Sequence, residues 1–187
     1  MAIHHLDRES TADLSTARMV IVCGLPGVGK TTVASRLADR LDGSHLRTDV
    51  VRKELFPDPT YTTEETRVVY AEVLDRARAA VQTGSIAVLD GTYKRHSRRV
   101  RVVRAASELD VPLAVVRVVA DRDRVHERIR SRTDDESDAD VDIYEQFREE
   151  WEPIRGEYVT IDNSSGLDAL SRQLEAHVPR VPDPSPA

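Results

Sequence analysis

Residues Gly24-Leu25-Pro26-Gly27-Val28-Gly29-Lys30-Thr31-Thr32 constrain the fold of this chain more than any other stretch. They fit the pattern G-x-x-x-x-G-K followed by Ser or Thr at every fixed position, and that pattern works only between a strand and a helix. Both flanks comply. Met19-Val20-Ile21-Val22-Cys23 is a short, apolar, β-branched run that reads as a buried strand, and Val33 to Leu41 carries apolar residues at helical spacing. In such a turn the glycines bring backbone N–H groups close to phosphate oxygens, and the positive end of the following helix faces the same anion. Lys30 is expected at the β- and γ-phosphates and the Thr31 hydroxyl at Mg²⁺. The whole run from Gly24 to Thr32 is thus read as a nucleoside triphosphate site.

The 187 residues, 40% hydrophobic and 32% charged, provide material for one sizeable core. No apolar run approaches the roughly 18 residues of a membrane span, and residues 1–17 lack a leader-like apolar stretch, so a cytoplasmic protein without a membrane partner is expected. A net charge of −6 argues against a general nucleic-acid binder. The single cysteine, Cys23, excludes an intramolecular disulfide framework and reads as a buried, inert thiol. Only 3 of the 27 strongly basic residues are lysines, a bias that fits either a high-GC genome or a salt-adapted proteome and makes Lys30 and Lys94 stand out.

Strands and helices alternate between a polar lead-in at 1–17 and a proline-rich tail at 179–187. Strands are expected near 18–23, 45–47, 86–89, 113–119 and 158–162. Helices are expected near 29–41, 63–82, 95–109, 122–132 and 166–177. Thr62-Thr63-Glu64-Glu65 is a capping start for the second of these helices and Gly84 its stop. This alternation predicts a parallel sheet covered on both faces. The acidic run 134–140 reads as a loop inside a flap, or as plain solvated surface.

A phosphate-binding loop alone does not choose among GTPases, motors, transporters and kinases. No Asn-Lys-x-Asp motif for guanine is present. Four further features favour a small kinase. Thr48-Asp49-Val50-Val51-Arg52 follows the second strand, where loops face the ligand crevice of a doubly wound sheet. Asp49 can accept a hydroxyl proton and Arg52 can clamp an anionic acceptor, or the pair is a helix cap with a surface arginine. Ile86-Ala87-Val88-Leu89-Asp90-Gly91 ends a strand in a carboxylate that can hold Mg²⁺, with Thr92 just beyond it. Arg124, Arg128 and Arg132 recur on one helical face, suited to closing over a transferring phosphate or to pairing with Asp121, Asp123 and Glu127. Lys94 to Arg104 holds six basic residues in eleven, which suits an anionic or polynucleotide acceptor, or a solvated face.

At these residues the chain resembles the small P-loop kinases of the AAA-type ATP-binding group, which is similar to gluconate kinase, chloramphenicol phosphotransferase, zeta-toxin kinases and the kinase module of polynucleotide kinases. The resemblance spans about residues 18–178. It rests on the Gly24–Thr32 loop, Asp49-Val50-Val51-Arg52-Lys53-Glu54-Leu55, Val88 to Thr92, Arg128 to Arg132 and Asp135 to Ala139. It implies a three-layer α/β P-loop NTPase fold with a central, mostly parallel five-stranded sheet and a helical lid at about 122–140. It also implies Asp49 as general base, Arg52 and Thr92 on the acceptor, Arg128 and Arg132 as lid arginines, and Asn163 in the loop beside the adenine. The expected activity is transfer of the γ-phosphoryl of ATP, with Mg²⁺, to a hydroxyl of a small molecule, with Tyr61, Arg67 and Tyr70 near the acceptor, by a monomer or homodimer. Two alternatives stand beside it: a nucleotide-dependent regulatory module with a protein partner, and a polynucleotide 5′-hydroxyl kinase.

Overall fold

The computed structural model describes residues 8–9, 14–131 and 140–178. Its strands are β1 (Arg8–Glu9), β2 (Met19–Cys23), β3 (Gly43–Arg47), β4 (Ile86–Asp90), β5 (Leu113–Val119) and β6 (Glu157–Asp162). Its helices are α1 (Lys30–Leu41), α2 (Thr48–Leu55), α3 (Thr63–Gln82), α4 (His96–Glu108), α5 (Arg122–Arg130), α6 (Val141–Glu149) and α7 (Leu167–His177). All pairings are parallel and the order across the sheet is β1-β6-β5-β2-β4-β3.

The central strand shows why its sequence is apolar throughout. Val20 and Val22 point to one face, into a core with Val33, Leu37, Val125, Leu170 and Leu174. Met19, Ile21 and Cys23 point to the other, against Val51, Val69, Val73, Val102 and Ile154. Helices therefore cover both faces, α1, α5, α6 and α7 on one and α2, α3 and α4 on the other, giving three layers. Cys23 is fully buried, and loss of solvation pushes its thiol pKa to about 12, so the thiol is inert at neutral pH.

The five-stranded parallel sheet and the α/β layering agree with the sequence reading. Besides α2, which follows β3 where the expected helices have none, three elements extend it. β3 begins at Gly43, two residues before the expected strand, because the small residues Gly43 and Ser44 still pair with Ile86 and Ala87. The lead-in contributes β1, which pairs Arg8 with Glu157 and Glu9 with Tyr158, and it buries Leu14 and Ala17 in the core. The third is α6, in a stretch with no expected element; Asp140 caps it by accepting from the Ile143 amide at 2.8 Å. Helix α3 has its expected bounds, with the Thr62 hydroxyl accepting from the Glu65 amide at 3.2 Å. Arg132, most of the acidic run, the Asp135 to Ala139 match and the tail at 179–187 lie outside the described residues. Among the described residues no helix is long and apolar enough to cross a membrane.

Candidate active site

Because every strand runs the same way, the chain segments leaving β2, β3, β4 and β6 meet at one edge of the sheet. They enclose a cleft of about 1210 Å³. Its nucleotide half is built from the phosphate loop, Arg128, Asn163 and Leu167; its other half is walled by α2, α3, the start of α4 and α6.

The loop between β2 and α1 is held by direct contact. Gly27 (φ 78) and Gly29 (φ 88) are left-handed, which favours glycine. A Cβ on Gly27 would meet Val125 Cγ1 at 2.7 Å and Ile129 Cγ1 at 2.9 Å, and one on Gly29 would overlap the Asn163 amide. The buried Asn163 side chain donates from Nδ2 to the Val28 carbonyl at 3.0 Å. Arg128 donates to the carbonyls of Asn163 at 2.7 Å and Val28 at 3.4 Å. The Lys30 ammonium arches back to the Leu25 carbonyl at 2.9 Å, across the loop's mouth. The Gly24 amide donates to the Thr92 carbonyl at 3.3 Å, which ties the loop to the chain after β4.

Asp49 lies in the first turn of α2, lines the cleft and is within the field of Lys30. Burial raises its pKa above the ordinary carboxylate value; Asp90 pushes the same way, while Lys30, Arg47 and Arg52 oppose. Asp90 ends β4 beside its register partner Arg47, whose Nε is 3.9 Å away, and its Oδ2 is 3.1 Å from His45 Nε2. Thr31, Asp49 and Asp90 all line the cleft. Among the described residues no group of three or more His, Cys, Asp or Glu side chains forms a protein-only metal cage. One hydroxyl and one or two carboxylates facing a phosphate site are the donor set that suits Mg²⁺ shared with phosphate oxygens and water.

Arg52 is 6% exposed and lines the cleft on the α2 and α3 side. Its Nη2 donates to Thr66 Oγ1 at 3.2 Å, and Tyr61 lies over its guanidinium at 4.7 Å. Tyr70 is buried, its hydroxyl oxygen accepts from the Tyr93 amide at 3.2 Å, and Arg98 lies over its ring at 4.4 Å. Arg67 is exposed and paired with Glu64 outside the cleft.

The arginine stripe and the basic run resolve into different jobs. Arg124 is 60% exposed and pairs with Glu127, whereas Arg128 turns inward beside Val125 and Ile129, which seat α5 on the loop. Arg99 is buried and donates to four carbonyls, those of Tyr93, Lys94, Glu152 and Pro153. Lys94 pairs with Glu150 at 2.6 Å, and Arg95 pairs with Glu150 at 3.1 Å and Glu152 at 3.2 Å. Burial lowers the Lys94 pKa, and Glu150 acts against that shift. Sequence reasoning did not find His45, Asn163's grip on Val28, or this strap from 150 to 153, because all three depend on partners distant along the chain.

A glycine-rich phosphate cradle at the carboxyl edge of a parallel sheet, opening on a second walled chamber, defines a nucleotide-binding protein of the P-loop class with kinase-like architecture. Residues 19–154 match the AAA domain family, and the chain belongs to it. An uncharacterized protein of Mycobacterium tuberculosis is 29% identical over 69% of this chain, and the chain spans about 28% of the length of that relative. A UPF0200 protein of Pyrobaculum aerophilum is 27% identical over 83% of this chain and 94% of its own length. Among solved structures, the chain is similar to a gluconokinase from Sinorhizobium meliloti (TM-score 0.66, 21% identity, 88% of this chain and 93% of that one). It is also similar to a sugar kinase from Janibacter (TM-score 0.67, 15% identity, 89% and 96%) and to a tunicamycin resistance protein from Deinococcus radiodurans (0.58, 19%, 86% and 93%). At these identities the likeness establishes the fold.

Proposed function

We propose that this protein is an ATP-dependent kinase that transfers the γ-phosphoryl group to a hydroxyl of a small-molecule acceptor. The observation that carries the reading is the position of Asp49: a carboxylate of raised pKa, within the field of Lys30, where the phosphate cradle opens into a second chamber. A carboxylate there can take the acceptor's proton. The loop amides and Lys30 hold the triphosphate, and Arg128 keeps the loop in its cradling shape while presenting a cation beside Gly29. Thr31 and Asp90 are the residues that would hold Mg²⁺, which neutralises phosphate charge when bound. The fold-sharing gluconokinase and sugar kinase support the same class of reaction.

The polynucleotide alternative keeps Arg98, Arg101 and Arg104 of the six basic residues that motivated it. Within the basic run, Arg99 is internal and Lys94 and Arg95 are paired with carboxylates. The test is ADP release screened over sugars, sugar acids, nucleosides, antibiotics, and RNA or DNA 5′ ends. Acceptor-dependent release is expected, and Lys30→Ala should abolish it while the circular dichroism spectrum stays that of the folded protein. Hydrolysis at a constant rate whatever acceptor is added would instead identify a regulatory ATPase.

A further inference from the structure

Two arginine–tyrosine stacks flank the acceptor chamber: Arg52 with Tyr61, and Arg98 with Tyr70. They are the cations of that chamber left for a ligand. Lys94 and Arg95 are held by Glu150 and Glu152, as described, and Arg101 and Arg104 are exposed and do not line the cleft. Arg98 has no carboxylate at ion-pair distance among the described residues; it contacts the Tyr70 ring and hydroxyl. Arg52 is nearly enclosed, yet its Nε and Nη1 have no hydrogen-bond partner. Its nearest carboxylate, Glu65, stands 3.7 Å from Nη1 and accepts instead from the Thr60 hydroxyl at 2.7 Å and amide at 3.0 Å. The Tyr61 ring, itself 47% exposed, lies over the same guanidinium.

Buried guanidinium donors left unmade are a cost that a carboxylate or phosphate removes, since these anions match the arginine fork. We infer that the acceptor is a small hydroxylated molecule bearing an anionic group, carboxylate or phosphate, bound between Arg52 and Arg98 with its hydroxyl at Asp49. This rests on the kinase reading. Asp49 and Arg52 are three residues apart on α2, hence neighbours on one helical face, so the anion and the reacting hydroxyl lie a few bonds apart on one molecule. In the reaction the acceptor oxygen bonds to the γ-phosphorus as the bond to the β-bridging oxygen breaks. The hydroxyl proton passes to Asp49, and the products are ADP and a phosphate monoester that retains the original anionic group.

The experiment compares matched acceptors: aldonates and aldose phosphates against the alditols that share their hydroxyls, plus a 5′-hydroxyl oligonucleotide with a 3′-phosphate. ADP release is followed for the wild type, Arg98→Gln and Arg52→Lys. The expected result is turnover with one of the anionic small molecules and not with its alditol. Arg98→Gln should raise the KM for that acceptor roughly tenfold or more with little change in kcat or in the KM for ATP. The carboxylate and phosphate arms tell which anion is bound. Equal turnover of alditols, with no effect of Arg98→Gln, would overturn the anionic subsite and leave the kinase intact; turnover of the oligonucleotide alone would overturn the small-molecule acceptor. A second measurement covers the case of no turnover, in which the kinase reading fails. Calorimetric titration of the aldonates and aldose phosphates into protein saturated with a non-hydrolysable ATP analogue should show binding that Arg98→Gln weakens. No binding there would overturn the subsite as well.

Discussion

The carboxylate of Asp49 loses more solvation than Lys30, Arg47 and Arg52 return to it, which leaves its pKa above the ordinary value. A base must be deprotonated, so the acidic limb of kcat/KM should fall at higher pH than an unperturbed carboxylate would give, and Asp49→Asn should remove that limb along with about 100-fold or more of the turnover. ATP affinity should hold. The stability effect has the opposite sense. Between the unfolded and folded pKa values the folded protein binds the extra proton, so this group's contribution to stability rises as pH falls. Asp49→Asn should therefore melt at or above the wild-type temperature at pH 8, with the difference shrinking on acidification. A lower melting temperature with unchanged rates would make Asp49 a first-turn carboxylate that stabilises the N-terminus of α2 and no base.

Helix α5 and the strap at 150–153 show what elements add. Val125 and Ile129 press α5 onto Gly27 and Arg128 reaches the loop carbonyls, so the helix is seated on the loop. Arg128→Ala should lower kcat more than it raises the KM for ATP if the guanidinium serves the transferring group. Asn163→Ala, which leaves the Val28 carbonyl with only the longer Arg128 bond, should speed amide exchange across residues 24–31 and weaken ATP binding. Arg99→Ala removes the donor shared by four carbonyls, of which that of Lys94 keeps the Glu152 amide, and should cost about 2 kcal/mol or more in urea unfolding. Local signals were enough for the elements built on them. The phosphate loop, the Thr62 cap and the apolar strands were legible because motif, cap and periodicity all lie within a few residues. Helix α6 was not, because Val141 to Glu149 presents only one fully buried side chain, Tyr144, among charged neighbours. Arg99 read as part of a solvated face because nothing near it in sequence announces the carbonyls of 152 and 153.

At the scale of the whole molecule, a ligand bound at the cleft edge clasps segments from both layers and should stabilise all of them together. Saturation with an ATP analogue at about 100 times its Kd contributes about 2.7 kcal/mol, which for a chain of this size raises Tm by about 5–10 °C. Differential scanning fluorimetry of the wild type and Lys30→Ala should show the shift in the first and little of it in the second.

The strand order has a consequence for biosynthesis. Strand β2, which carries the phosphate loop, is hydrogen-bonded to β4 and β5 and to neither of the elements made just after it. Cys23 is 63 residues ahead of Ile86, the first residue of β4. At typical elongation rates of about 5–20 residues per second, the run Met-Val-Ile-Val-Cys leaves the ribosome on the order of 3–13 s before its first partner strand exists. During that interval the segment most needed for nucleotide binding is also the one most able to stick to another chain, and a nascent-chain chaperone has a defined window in which to shield it.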